Sequence, residues 1–278
     1  MRATHRSRAQ RRGVGLLLGL IILTSSVAAG AAPQAHASTT PAGRTLFDDE
    51  FSTPALAAAW YPNRWFANTC APGATTGEGQ YYTRAGVSIG GGTLRLTARK
   101  GTYHCPEGSW AGNRPYSSGW IQTGGARTST ITKQPGFTFR YGHVSVRFKE
   151  PAGRGLWPAI WLAAAGTHQT YPWPPEIDLL ESYGNPSIWS FHVHLAGNIN
   201  TGKDFHGPNT ATGYHTVSLN WQPTAITWSI DGHITYRYTG KNIPNIPMYL
   251  IVNLATGGLA GIPLAGGTMQ VDWVHVTT

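Results

Sequence analysis

The sequence predicts an all-β domain, a sandwich or a barrel, and three observations carry that expectation. Gly and Pro, 35 and 19 of them, are spread along all 278 residues instead of collecting in linkers. Short apolar runs alternate with polar residues at a period of two, as half-buried strands do. No long window repeats apolar residues at a 3.6-residue spacing, and Ala55 to Trp60 has room for one helical turn at most. Strands that succeed one another without intervening helices argue against an α/β fold.

The first 37 residues stand apart from this pattern. Arg2, Arg6, Arg8, Arg11 and Arg12 make a positive head, Val14 to Val27 is mostly apolar, and Ala35-His36-Ala37 supplies an A-x-A site before Ser38. This is the three-part layout of a secretory signal peptide. The apolar run is shorter than the ~20 residues of a membrane span, and Ser25 and Ser26 interrupt it. The expectation is a secreted, extracellular protein that keeps no membrane segment after cleavage. Arg11-Arg12 leaves the Sec and twin-arginine routes both open. Residues 38–44 read as a short linker, and 45–278 as one domain without internal repeats.

Within that domain the strands read in order. Thr93 to Ala98 alternates Leu94, Leu96 and Ala98 against Arg95 and Thr97. Thr138 to Lys149 places Val144, Val146 and Phe148 on one face. Leu156 to Ala163 is nearly all apolar, as a strand covered on both faces should be. Ile188 to Leu195 comes after an acidic stretch. Ala225 to Ile230 and His233 to Tyr238 flank Asp231-Gly232, a strong two-residue hairpin signal. Met248 to Leu254 and Met269 to Val276 complete the set.

Charge and cysteines bound the function. The chain has 21 basic and 12 acidic residues, but the leader holds five Arg and no acid. The mature chain carries 16 against 12, a net +4. It has no Lys/Arg-rich run, so nucleic-acid binding loses its support. Cys70 and Cys105 are the two cysteines. Outside the cytoplasm such a pair is expected to close a disulfide stabilising the fold by roughly 3–4 kcal/mol; two buried thiols are the alternative. The 11 Trp and 12 Tyr suit carbohydrate, whose C–H faces pack on flat rings. Trp157, Trp161 and Trp173 lie just before the acids and are candidate substrate-binding residues, with core packing as the plainer reading.

The chemistry concentrates in Glu176-Ile177-Asp178-Leu179-Leu180-Glu181, three carboxylates among residues that bury. Pro174-Pro175 could open a short helix with acids in its first turn, but the flanking apolar strands and Gly184 favour a strand. On a strand Glu176 and Asp178 share a face, whereas Glu181 has the wrong parity. A β-bulge at Leu179-Leu180 absorbs one residue and restores it. The two Glu Cα atoms are then ~13 Å apart. Inward-leaning side chains bring their carboxyls to roughly 5–6 Å, near the separation used by retaining glycosidases. Three close carboxyls do not all ionise at neutral pH, and split pKa values suit a nucleophile-plus-acid pair. Glu176 is therefore expected as the nucleophile, Glu181 as the acid/base, and Asp178 as the residue that orients Glu176.

The E-x-D-x-x-E pattern of Glu176, Asp178 and Glu181 resembles the bulged signature of glycoside hydrolase family 16. Phe47-Asp48-Asp49-Glu50-Phe51, Glu78-Gly79-Gln80-Tyr81-Tyr82 and Gly155-Leu156-Trp157-Pro158-Ala159-Ile160-Trp161 resemble other family segments. So do Met248 to Leu254 and Val271-Asp272-Trp273-Val274. The resemblance implies a β-jelly-roll sandwich of two antiparallel sheets. Its concave face would carry a cleft for endo-acting, retaining hydrolysis of a polysaccharide by a monomer without a catalytic cofactor. The bulged form points to β-1,3-glucan, with agarose, carrageenan and mixed-linkage glucan as other substrates. A transglycosylase, sharing the first half-reaction with sugar in place of water, is the other outcome; the shorter E-x-D-x-E form of lichenases and xyloglucan transglycosylases does not fit. Pro175 stands where laminarinases usually have Gly, so the aromatic before the signature has two registers, Trp173-Pro174 or Tyr171-Pro172. The resemblance also implies a structural calcium held by Glu50, a backbone group at Gly91 or Gly92, and Asp272, oxygen ligands of the type calcium takes.

Two other function classes compete. His192-x-His194 puts two imidazoles on one strand face, but spacing places no third ligand for a metallohydrolase. His194 is instead expected to hydrogen-bond in the cleft near Glu181. A non-catalytic sugar-binding jelly roll would share the fold, though it has no use for three acids at this spacing.

Overall fold

The computed structural model describes residues 43–62, 77–105, 112–124, 136–165, 174–261 and 265–278. In chain order the strands are β1 Thr45–Asp49, β2 Gln80–Tyr82, β3 Val87–Ile89, β4 Leu94–Cys105, β5 Gly112–Ser118, β6 Trp120–Gln122, β7 Gly142–Lys149 and β8 Leu156–Ala164. They continue with β9 Glu176–Glu181, β10 Ile188–Leu195, β11 Ile199–His206, β12 His215–Gln222, β13 Ala225–Ile230, β14 His233–Tyr238, β15 Met248–Thr256 and β16 Gly267–Thr277. Among the described residues the helical pieces are two 3-10 turns, Arg84–Gly86 and Gly258–Ala260.

The strands form two sheets, a sandwich of the expected jelly-roll kind and not a closed barrel. One sheet has ten strands in the order β14-β13-β12-β7-β16-β4-β5-β2, with β1 added on β16 and β3 on β4. The other has six, in the order β11-β10-β9-β8-β15-β6. Pairing is antiparallel except between β2 and β5. Alternation explains the core. Val144, Val146 and Phe148 of β7 and Val217, Leu219 and Trp221 of β12 are buried on one side. Ile160 and Leu162 of β8, Ile177 of β9, Phe191 and Val193 of β10 and Leu250 and Val252 of β15 face them in the same cluster. Each such side chain contributes about 1.5–3 kcal/mol relative to exposure.

Several boundaries reflect local backbone needs. The Asp231-Gly232 turn has φ of 48° and 82°, and Ile230 pairs directly with His233, so the hairpin is the tight one expected. β7 begins at Gly142, later than Thr138, because Tyr141 (φ 62°) and Gly142 (φ 135°) turn the chain. A Cβ at Gly142 would meet the Thr277 carbonyl at 2.5 Å. β4 runs on past Ala98 to Cys105.

Candidate active site

The six-stranded sheet arranges its outward side chains in cross-strand rows. In the row centred on Asp178, Gly202, His192, Asp178, Trp161, Ile251 and Gln122 are register partners from β11 to β6. On one side of it runs the row Asn200, His194, Glu176, Ala163 and Tyr249. On the other runs Asp204, Ser190, Glu181, Ala159, Asn253 and Trp120. The three carboxylates therefore occupy one column of the sheet, in three successive rows.

The bulge that this requires is present. Ile160 pairs with Leu180 and the next residue, Trp161, pairs with Asp178, which leaves Leu179 as the extra residue. On the other side Ser190 pairs with Glu181 and His192 with Asp178, so two steps of β10 answer three of β9. Leu179 and Leu180 are both fully buried; the apolar pair anchors the irregularity in the core. A tryptophan of the opposite sheet supports it: the Trp228 indole N–H donates to the Asp178 carbonyl at 2.8 Å.

Asp178 sits between the two glutamates. One oxygen of it lies within 4.8 Å of a carboxylate oxygen of Glu176, and one within 4.8 Å of Glu181. The side chains of Glu176 and Glu181 are 19% and 15% exposed, that of Asp178 only 3%. Burial pushes the Asp178 carboxyl well above the ordinary carboxylate range, and the charge of Glu181 pushes it further. Its Oδ2 is buried and accepts no hydrogen bond, although His194 Nε2 stands 3.4 Å away.

Glu181 is gripped from two directions. The Trp157 indole N–H donates to Oε1 at 3.0 Å and the Tyr183 hydroxyl to Oε2 at 2.7 Å. Burial, then the Glu181 charge, raise the Tyr183 pKa far above its usual value, so the phenol stays a donor at every working pH. Trp157 and Tyr183 brace each other edge to face at 5.1 Å. Beside them the same sheet face carries a polar-aromatic network: Trp161 donates to Asn253 Oδ1 at 2.8 Å, Asn253 to the Tyr82 hydroxyl at 3.1 Å, and Trp120 to Gln122 at 2.7 Å.

Trp157 and Trp161 thus lie on the acidic face as expected, but their N–H groups are committed to Glu181 and Asn253, not left to meet sugar. Trp173 lies outside the described residues. His194 needs a correction: it lies beside Glu176 (3.6 Å) and Asp178, and it is His192 whose Nδ1 approaches Glu181, at 3.7 Å. Antiparallel pairing is the reason, since the later residue of β10 meets the earlier residue of β9. The expected calcium ligands have protein partners: Glu50 Oε1 meets His275 Nε2 at 2.5 Å, Asp272 pairs with Arg147, and the Gly91 carbonyl accepts from Thr93. Cys105 is buried at the end of β4, and Cys70 lies outside the described residues. Tyr183 and Asn253 are not among the expected site residues, and His192 entered only as one of two imidazoles considered for a metal. Tyr183 shares the parity of Glu181, two residues on, and Asn253 is the lone amide in an apolar strand; both signals stand in the sequence.

Comparison with known proteins agrees with this geometry. The family model "Glycosyl hydrolases family 16" matches residues 78–275. A β-glucanase of Rhodothermus marinus is 30% identical over 80% of this chain and 78% of its own length. Glucan endo-1,3-β-glucosidase A1 of Niallia circulans is 32% identical over 83% of this chain, which spans 37% of that longer protein. The endo-β-1,3-glucanase structure from Pyrococcus furiosus superposes with a TM-score of 0.72 at 27% identity, covering 85% of this chain and 94% of that one. The sheet order, the bulged acidic strand and the match over residues 78–275 lead to one conclusion: the chain belongs to glycoside hydrolase family 16.

Proposed function

We propose that the protein is an endo-acting β-glucan hydrolase that cleaves β-1,3 linkages with retention. The observation that carries this is the column of three carboxylates with the buried Asp178 between two half-buried glutamates. Two environments on one strand separate the roles. Glu176 attacks the anomeric carbon while Glu181 gives its proton to the departing glycosidic oxygen; Glu181 then takes a proton from the water that releases the glycosyl-enzyme. Asp178 stands between the two glutamates to orient Glu176, and burial favours its neutral form, which eases the crowding of three adjacent carboxylates. Trp157 and Tyr183 fix the Glu181 carboxyl in the geometry of transfer. The half-buried Trp161 on the same face offers a ring on which a sugar of a long glucan can pack.

The test is reducing-sugar release from laminarin, lichenan, agarose and carrageenan. Fastest turnover on laminarin is expected, with the β-anomer appearing first by NMR. Binding without turnover on all four polymers would sink the enzyme reading, and an α-anomer would sink retention.

Three structural expectations accompany this function. Export through the N-terminal leader is expected to leave a product beginning near Ser38, read by mass spectrometry of secreted material. A Cys70–Cys105 disulfide predicts no thiol titre before reduction. Calcium at Glu50, Gly91 and Asp272 would have to displace His275 and Arg147 from the carboxylates; a melting temperature unmoved by calcium and by EDTA would dispose of it.

A further inference from the structure

We infer that His192 touches the substrate, its Nε2 hydrogen-bonding a hydroxyl of the sugar held over Asp178, on the side away from Trp161. This rests on reading the carboxylate face as the site of a glucan hydrolase. Asp178 has two register partners on that face, Trp161 of β8 and His192 of β10. They offer a sugar different things. Trp161 spends its N–H on Asn253, so ring surface is what it shows to the C–H face of a sugar. His192 brings an imidazole, which in its neutral form has one donor and one acceptor nitrogen. A hydroxyl can answer either.

The ring of His192 is held in place but not saturated. Its partner on the other side is Gly202 of β11. A Cβ at Gly202 would stand 2.3 Å from His192 Cδ2 and 2.1 Å from the Phe191 carbonyl. Glycine there is what lets the imidazole lie against β11. The His194 ring stacks beside it, with centroids 6.2 Å apart and planes at 26°. A ring nitrogen of His192 lies within 4.8 Å of an oxygen of Asp178 and one of Glu181. The approach of Nδ1 to Glu181 Oε2, at 3.7 Å, is too long for a hydrogen bond. Neither ring nitrogen has a hydrogen bond to a described residue, and the side chain is 28% exposed. Nε2 belongs to the ring edge farthest from the backbone, the edge a sugar on this face would meet. A polymer running along the row meets Trp161, Asp178 and His192 in turn, then passes over Gly202, where β11 has no side chain. The row thus reads one sugar by its C–H face and by a hydroxyl.

Two substitutions test the contact. His192→Phe keeps a ring and removes both nitrogens; His192→Gln returns a donor and an acceptor at the reach of Nε2. Laminarihexaose is titrated calorimetrically into the full chain carrying Glu176→Gln, which holds the ligand without cutting it. Adding His192→Phe is expected to weaken binding about three- to tenfold, the worth of one hydrogen bond. Adding His192→Gln is expected to leave binding within about twofold. His192→Ala, run beside them, should match His192→Phe and guards against strain from the apolar ring. With Glu176 intact, kcat/KM on laminarin is expected to fall in the same order. Its alkaline limb should stay where it is, because Glu181 keeps Trp157 and Tyr183. Unweakened binding in both His192→Phe and His192→Ala, or a His192→Gln variant no better than either, overturns the contact. So does a moved alkaline limb with unchanged binding, which would make His192 a positioning residue for Glu181. Failure of the hydrolase reading is seen separately: the unsubstituted chain then leaves laminarin uncut, and the contact falls with it.

Discussion

On the first half of β9, Glu176 sits in an unbroken ladder, between Ala163 of β8 and His194 of β10. On the second half, past the extra Leu179, Glu181 is clasped by an indole and a phenol and has His192 at 3.7 Å. The same residue type, two rows apart, has an alanine and a histidine as cross-strand neighbours at one end and accepts from an indole and a phenol at the other. The difference teaches that one inserted residue does more than correct parity. It moves Glu181 into the company of Tyr183 and Trp157, and so makes two unlike carboxyls out of one strand.

The sharpest way to break this comparison is to make the two ends alike. Glu181→Gln is expected to lower kcat on laminarin by ~10²–10⁴, the usual worth of general acid–base help. Glu176→Gln should cost more, since no covalent intermediate forms without it. Equal and small losses in steady-state kinetics would show that the two ends do not differ in role. Next in size, Trp228→Phe removes the indole that meets the Asp178 carbonyl. A stability loss of about 1–3 kcal/mol in urea melts is expected, together with a fall in kcat larger than any rise in KM. Tyr183→Phe removes one of the two donors on Glu181 and should reduce kcat about tenfold or less, in line with a single hydrogen bond to a carboxylate; an unchanged kcat would leave Trp157 as the sole clasp.

The smallest effect on catalysis is expected at the other buried acid. Glu150, at the end of β7, is 2% exposed with Oε1 unpartnered. Burial raises its pKa from 4.5 to about 8, partly offset by the hydroxyls of Thr210 and Ser182. The folded state therefore holds a proton that the unfolded chain releases. The stabilisation from that proton is complete below about 4.5, declines as pH rises, and is gone above about 8. Glu150→Gln should flatten this slope in urea melts at pH 5 and 9 while leaving kcat at pH 6 unchanged. Burial alone does not make an acid catalytic; Asp178 differs in having Glu176 and Glu181 beside it.

Much of the fold was legible in the chain because alternation records burial. The strands Ile188–Leu195, Ala225–Ile230 and His233–Tyr238 have the bounds that the pattern predicts, and the parity of Glu181 by itself demanded the bulge. β11 was not legible. Ile199–His206 is an edge strand, half-exposed, and its Gly202, Lys203 and Asp204 answer to solvent more than to a core. β5 hides for a like reason, with Pro115 inside it. The partners of the acids were the least legible part. Which of His192 and His194 meets which glutamate depends on strand direction and register, and Trp228 reaches the site from the other sheet, a relation that no spacing along the chain encodes.

That reach across the core has a practical consequence. Because the indole of Trp228 is both a wall of the interior and a prop under Asp178, sugar release reports on how well the two sheets are docked. Random mutagenesis scored only for lost turnover should therefore recover substitutions in β13 and its neighbours, in the sheet opposite the three carboxylates. Cleft variants would be told apart from these by keeping their melting temperature.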